Sequence, residues 1–272
     1  MDCPKLVVVD LDGTVVGYDT AHVAPSPAII KALASVRAAG VPVAIATGRA
    51  VWGALRTVTD LGLTDGLVSA THGAVTYDLA RDQVIDEVLI DPAEAVEALA
   101  RADASTAFAV ELRQRGWRHT ANFSRDFEST WADVVDVDTL AATPTVRLAA
   151  RVEATSSYGT RLRCPAATRL ADSARIDESK FCVEVGFNGW IDIGAAGVTK
   201  ATGVAAIAAH YGVDPADTIV FGDAANDLPM FAWAGHSVAM GQAVGEVQEA
   251  ADEVAPSVYD DGVAVVLKRW FP

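Results

Sequence analysis

The sequence predicts an α/β fold: a doubly wound, mostly parallel sheet interrupted by an inserted α+β domain. Three observations carry this prediction. From residue 5 to about 80, short β-branched apolar runs alternate with amphipathic stretches, a pattern that implies parallel pairing and right-handed crossovers. From about 81 to 188 the alternation lapses, and extended runs richer in arginine, some with period two, take over. From about 195 the alternation returns. The expected organisation is a core of residues 1–80 and 189–272, with residues 81–188 as the insert, a module of roughly a hundred residues.

The elements follow in order. "LVVVDL" is a short apolar run suited to a strand covered on both faces. "SPAIIKALASVRAAG" is a helix with Ser26 as N-cap and Pro27 at its first position. Ile29 or Ile30, Leu33 and Val36 form its apolar face, and Gly40 ends it. "VPVAIATG" is a second strand. A helix through Trp52, Leu55, Val58 and Leu61 stops at Gly62, and "GLVSAT" is a third strand. In the insert, "DPAEAVEALARAD" reads as a helix with Asp91 as N-cap and Glu94 placed for a capping box. "AFAVELRQRGWRHTANF" and "KFCVEVGFNGWIDI" read as strands. Beyond it, "TKATGVAAIAAHYG" is helical, "DTIVFGD" a strand, "DLPMFAWAG" a helix, "HSVAMG" a strand and "DDGVAVVLKRWF" a helix.

Composition narrows the function classes. With 272 residues and 51% hydrophobic content, the chain is long and apolar enough to build a real core. A formal charge of −15 argues against nucleic acid and anionic membrane partners. An anionic small substrate then requires a locally positive site, which a bound cation can supply. Cys3, Cys164 and Cys182 have no close metal-ligand spacing and suggest reduced thiols in a cytoplasmic protein. Neither a signal peptide nor a membrane-spanning run is expected.

The chemistry is concentrated at the strand ends. Open parallel sheets bind ligands beyond the carboxyl ends of their strands. Asp10 and Asp12 follow the first strand, Thr47, Gly48 and Arg49 the second, and Asp223, Asn226 and Asp227 the "TIVFG" strand. Lys200 opens a helix. Singly, each has an ordinary explanation as a cap, turn or surface residue. Together, their carboxylates would repel one another in one crevice unless a divalent cation gathered them. Mg²⁺ takes oxygen ligands and commonly holds carboxylates together with a substrate phosphate. One carboxylate can then serve as nucleophile and a second as general acid.

These residues resemble the haloacid dehalogenase-like superfamily. "DLDGT" is similar to its first motif, "ATGR" to its second, Lys200 in "GVTK" to its third and "GDAAND" to its fourth. The insert between the second and third motifs resembles the cap of the Cof-type sugar-phosphatase branch, and "THGAVTYD", "VAMGQA", "AADEVA" and "DDGVA" are further echoes. The resemblance implies a Rossmann-like core and a Mg²⁺-dependent phosphatase acting on a small phosphorylated metabolite, expected to be a sugar phosphate. Asp10 would be the nucleophile that forms an aspartyl-phosphate, and Asp12 the general acid and base. Thr47, Gly48, Arg49, Lys200 and Asn226 would bind substrate, with Thr47 and Lys200 also catalytic. Asp10, Asp223 and the Asp12 carbonyl would hold the metal. The second acid, Asp12, separates this chain from the metal-free dehalogenases of the superfamily. The chain departs from the family pattern at His72, Gln242 and Val258, where Asn is common, and at Ala201, where Gly is common.

The insert would select the leaving group, with the arginines at 113, 115, 118, 147, 151, 161 and 163 as candidate contacts. Trp117 and Trp190 are candidates for stacking on a sugar, or for core packing. His119 and His210, outside any motif, read as structural. Two rival readings remain open: a phosphomutase that passes the phosphoryl group to a sugar hydroxyl, and a non-catalytic sensor of a phosphometabolite. The expected assembly is a monomer or homodimer.

Overall fold

In a computed structural model, residues 2–18, 24–113, 116–124, 131–152, 164–186 and 188–272 are described. Along the chain the strands are β1 (Leu6–Val9), β2 (Val43–Ala46), β3 (Leu67–Ala70), β4 (Val75–Asp78), β5 (Gln83–Glu87), β6 (Ala107–Leu112), β7 (Gly116–His119), β8 (Ala132–Val134), β9 (Leu148–Arg151), β10 (Phe181–Val185), β11 (Trp190–Ala195), β12 (Thr218–Gly222), β13 (His236–Ala239) and β14 (Glu253–Val254). The helices are α1 (Pro27–Ala38), α2 (Val51–Asp60), α3 (Ala93–Ala102), α4 (Val137–Ala141), α5 (Pro165–Ala174), α6 (Lys200–Tyr211), α7 (Leu228–Trp233), α8 (Gly245–Glu249) and α9 (Gly262–Leu267). Two units result: Met1–Asp86 with Thr199–Pro272, and Glu87–Val198.

The first unit is built on an eight-stranded sheet in the order β14-β13-β12-β1-β2-β3-β4-β5. From β14 to β3 every neighbouring pair is parallel, and β4 turns back antiparallel on β3. All four residues of β1 are fully buried, so helices cover both its faces, as its unbroken apolar run requires. On one side Val204, Ile207 and Ala208 of α6 and Met230 and Phe231 of α7 close over Leu6, Val8, Ala44 and Val220. Helix α1 starts where its sequence signals place it: Ser26 accepts a hydrogen bond from Ile29 N at 3.2 Å, and Pro27 occupies the first turn. Of the two candidate isoleucines, Ile29 is the buried one. The strand order reverses at β1. The chain runs outward through β2 and β3, then returns to place β12 on the other side. A crevice beyond the strand ends at such a reversal is where α/β sheets bind ligands.

The second unit carries a six-stranded sheet in the order β10-β11-β9-β6-β7-β8, antiparallel except for the parallel β7–β8 pair. Period two has a plain cause here. Phe108, Val110, Leu148, Ala150, Ile191 and Ile193 face α3 and α5 and form the core. The alternate positions put Glu111, Trp117, Arg147, Arg151, Trp190 and Asp192 on the opposite face. The start of α3 differs from the expected capping box. Pro92, not Asp91, is the N-cap, and Asp91 accepts from Ala93 N at 3.1 Å one residue earlier. Glu94 instead meets Lys180 at 2.6 Å. Pro92 already supplies a first-turn residue without an N–H, which leaves the box nothing to close. Among the described residues no helix is long and apolar enough to cross a membrane, and all three cysteines are free.

Candidate active site

The register of the central strands brings the acids together. Val9 pairs with Phe221, and Asp10 N donates to Phe221 O at 3.0 Å, so Asp10 and Asp223 leave adjacent strands side by side. Carboxylate oxygens of Asp10, Asp223 and Asp227 all lie within 4.8 Å of one another, and all three residues are buried. Lys200, the first residue of α6, inserts its ammonium among them, 2.9 Å from Asp10 Oδ1 and 2.7 Å from Asp227 Oδ1. The Lys200 side chain is itself buried.

Three buried carboxylates face one buried ammonium, and their protonation behaviour shows the excess. Burial pushes the Asp10 carboxyl up to about 7; the charges of Asp227 and Asp12 add to this, against the pull of Lys200. Burial, then the charges of Asp10 and Asp227, pushes Asp223 up to about 9. Burial alone pulls Lys200 down, but Asp10 and Asp227 outweigh it and hold the ammonium above its ordinary range.

The three acids are not equivalent. Asp227 is fully committed. Its Oδ1 accepts from Lys200, and its Oδ2 accepts from the N–H groups of Asp223 and Ala224 at 2.9 and 3.0 Å. Asp223 Oδ1, by contrast, is buried with no hydrogen-bond partner. An orphaned buried carboxylate oxygen beside a second carboxylate, within an uncompensated negative cluster, suits a hard divalent cation. Asp10 and Asp223 are therefore the side chains fitted to hold one. The sequence sets Asp227 after the same strand as Asp223 and assigns it no role. Its function as the anchor of Lys200 depends on the turn Ala225–Asp227, which folds its carboxylate back onto the 223–224 backbone.

Asp12 lies apart from this cluster of three. Its carboxylate forms a two-pronged ion pair with Arg49, whose Nε and Nη2 donate at 2.8 and 2.6 Å. The remaining guanidinium nitrogen, Nη1, donates to Gly53 O and Thr57 Oγ1 at 3.1 and 2.9 Å. Arg49, expected at the substrate, is here bound to Asp12 and α2. Thr47 is buried, and its Oγ1 accepts from Arg49 N at 3.1 Å, which leaves its own proton to donate. Gly48 packs against the imidazole of His72: a Cβ at position 48 would stand 2.5 Å from His72 Cε1 and 2.8 Å from Nε2. His72 Nδ1 lies 3.4 Å from Asn226 Nδ2. Thr71 and His72 are consecutive non-glycine residues with left-handed φ, +52° and +55°. Such conformations cost about 1–3 kcal/mol each and concentrate at functional sites.

Two further residues border the site. Gly13 has φ +82°, and a Cβ there would collide with the Tyr18 hydroxyl and Asp223 Oδ2. The need for glycine after the second acid of this chain thus has a local cause. Gln242, a departure from the family pattern, braces this turn: its Nε2 donates to Gly13 O at 2.6 Å and its Oε1 accepts from Val258 N at 2.9 Å. Val258 joins through its backbone, so its apolar side chain forfeits nothing there.

In the second unit the candidate arginines are engaged with their own surroundings. Arg147 meets Glu111 at 2.7 Å and Asp192 at 3.2 Å, 5.0 Å over the Trp117 ring. Arg151 lies 5.0 Å over Trp190. Arg118 pairs with Asp133 at 3.2 Å and Arg113 with Glu87 at 3.3 Å. Arg115, Arg161 and Arg163 lie outside the described residues. The rings of Trp117 and Trp190 are 6.1 Å apart. His119 is buried with Nδ1 2.9 Å from Thr120 O, and His210 is exposed against Tyr211.

Comparison with known proteins agrees with this architecture. A family model for haloacid dehalogenase-like hydrolases matches residues 7–267. A Streptococcus pyogenes protein named "Putative bifunctional phosphatase/peptidyl-prolyl cis-trans isomerase" is 31% identical over 97% of this chain and 53% of its own length. The chain thus spans about half of that relative. A phosphoglycolate phosphatase of Methanopyrus kandleri is 28% identical over 97% of this chain and 96% of its own. Among solved structures, the phosphatase BT1666 from Bacteroides thetaiotaomicron is 27% identical with a TM-score of 0.79, over 98% of this chain and 95% of that one. The subclass IIB sugar phosphatase BT4131, 23% identical, shares the fold with a TM-score of 0.79 over 98% of each chain. The chain belongs to the haloacid dehalogenase-like hydrolase family.

Proposed function

We propose that the chain is a Mg²⁺-dependent phosphatase that hydrolyses a small phosphorylated metabolite, a sugar phosphate by preference, through a phosphorylated aspartate. The observation that carries the reading is the pairing of Asp10 with Lys200 beside the orphaned oxygen of Asp223. Lys200 occupies Asp10 Oδ1, which leaves Oδ2 as the nucleophile. Oδ2 attacks phosphorus, the bond to the leaving oxygen breaks, and a proton passes to that oxygen from Asp12. Asp12 then takes a proton from the water that cleaves the aspartyl-phosphate, which returns Asp10 to its carboxylate. Both Asp12 oxygens are held by Arg49, so this step requires one of them to leave the guanidinium and carry the proton while the other prong keeps the carboxyl group aimed. Thr47 donates to a phosphoryl oxygen, and Lys200 offsets the charge gathered on Asp10 and the phosphoryl group. Held by Asp10, Asp223 and the Asp12 carbonyl, the cation would supply Lewis-acid charge neutralisation. The 87–198 unit carries the selection of the leaving group.

The experiment is hydrolysis of p-nitrophenyl phosphate with and without Mg²⁺, followed by a screen of phosphorylated metabolites for released phosphate. Asp10→Asn is expected to lower turnover by on the order of 10³-fold or more with the fold intact, since Asp227 still holds Lys200. Comparable rates in mutant and wild type would refute the nucleophile. Transfer to an added sugar in preference to water would favour a mutase.

A further inference from the structure

We propose that His72 is a substrate-contacting residue of this site, donating from Nε2 to an oxygen of the bound phosphoryl group; the inference rests on the phosphatase reading above. Two observations, taken with that reading, support it. The edge of the imidazole that carries both nitrogens lies over Gly48, with Cε1 and Nε2 the atoms closest to where a side chain would begin. Gly48 and its neighbour Thr47 are the residues assigned to the phosphate, so the ring borders the space that group would fill. Asn226, from the turn Ala225–Asp227 that follows β12, reaches the other nitrogen: its Nδ2 lies 3.4 Å from His72 Nδ1. With the amide so oriented, the neutral tautomer that satisfies this contact carries its proton on Nε2, which makes that atom a donor. An anion bound over Gly48 would meet a donor, not a lone pair.

The backbone supports the same assignment. Thr71 and His72 both adopt left-handed φ, one of them β-branched, and the conformation is held by Thr71 N donating to Arg49 O at 2.9 Å and His72 N to Thr47 O at 3.1 Å. The strained turn is thereby stitched to the backbone of the phosphate loop itself. A relaxed turn would carry residue 72 elsewhere, so the strain positions the ring. Packing over Gly48 alone needs no nitrogen; the contact with Asn226 does.

His72→Gly and His72→Asn separate contact from fold, because glycine and asparagine both accept φ near +55°. The probe is inorganic phosphate, titrated calorimetrically into the Mg²⁺-loaded protein, alongside KM and kcat for p-nitrophenyl phosphate and the melting temperature. His72→Gly is expected to weaken phosphate binding and raise KM by about 10- to 100-fold, the worth of a hydrogen bond to a charged acceptor, with melting unchanged or raised. His72→Asn, which restores a donor, is expected to recover part of that loss. Phosphate affinity and KM unchanged in His72→Gly would overturn the proposal, as would a wild type that binds no phosphate. A wild type that binds phosphate in a His72-dependent way, yet hydrolyses no aryl phosphate, would sink the phosphatase reading and uphold the contact.

Discussion

Asp227→Asn tests the electrostatic design of the site most directly. The carboxylate of Asp227 is fully buried and serves three donors: the Lys200 ammonium at 2.7 Å and the N–H groups of Asp223 and Ala224 at 2.9 and 3.0 Å. Asparagine matches it in volume but offers one acceptor oxygen in place of two. If that oxygen serves the two backbone groups, the new NH₂ confronts an ammonium. If it serves Lys200, two buried N–H groups face an amide donor. Breaking a buried pair from one side costs about 3–5 kcal/mol, and orphaned donors about 1–3 kcal/mol each. These effects overlap, and Asp10 still holds Lys200, so we expect a net loss of about 3 kcal/mol. For a unit of this size that is a fall of about 6–12 °C in melting temperature. A counter-effect exists in the metal-free protein, where losing one charge relieves part of the repulsion that adds to burial in raising Asp10 and Asp223. The loss should therefore be larger with saturating Mg²⁺ than without. Differential scanning calorimetry under both conditions measures this, and hydrogen exchange should show faster opening at the 223 and 224 amides. Melting within about 1–2 °C of wild type, with those amides equally protected, would refute the anchoring role.

Two further outcomes follow from the same geometry. Asp10 and Asp223 bind protons more tightly folded than unfolded, so their contribution to stability is full below about pH 4 and is lost as pH rises through about 7 and about 9. The increment in melting temperature from Mg²⁺ should accordingly grow between pH 5 and pH 9, and Asp223→Asn should flatten that growth; an increment independent of pH would count against the cation site. Arg49→Lys replaces the fork that holds Asp12 with a single ammonium, and should lower kcat by about 10- to 100-fold with little change in KM, whereas a rise in KM alone would restore Arg49 to the substrate.

Residue pattern reached some features and not others, for physical reasons. The neighbouring ends of β1, β2 and β12 follow from alternation of strand and helix, because parallel strands with right-handed crossovers all finish on one edge of the sheet. That suffices to bring Asp10, Thr47 and Asp223 to one region. Helix α1 was equally legible, since its cap, its proline and its apolar face are local signals. The start of α3 misled because Asp91 and Pro92 both offer credible first positions, and the choice lies in one backbone torsion. The commitments of Arg49 and Asp227 were illegible for another reason. Each is decided by which of several partners a charged group meets after folding, and spacing along the chain carries no record of that. The same holds for Arg147 and Arg151, which look in sequence like available cations and are found stacked on tryptophans.

Four carboxylates stand at the strand ends, and the protein's own cations and amides settle only two of them. Arg49 takes Asp12, and Lys200 with two backbone N–H groups takes Asp227. Asp10 receives half of a shared lysine, and Asp223 keeps a buried oxygen with no partner. Each of the settled pair accepts from two or three donors, which suits an acid that must be aimed and an anchor for Lys200. The unsettled pair is held at raised proton affinity on adjacent strands, by burial first and by the neighbouring carboxylates after it. A chain that spent a second lysine on Asp223 would satisfy its orphaned oxygen but would leave no room there for a dication. In the phosphatase reading, the unsatisfied half of the cluster is the half that reacts.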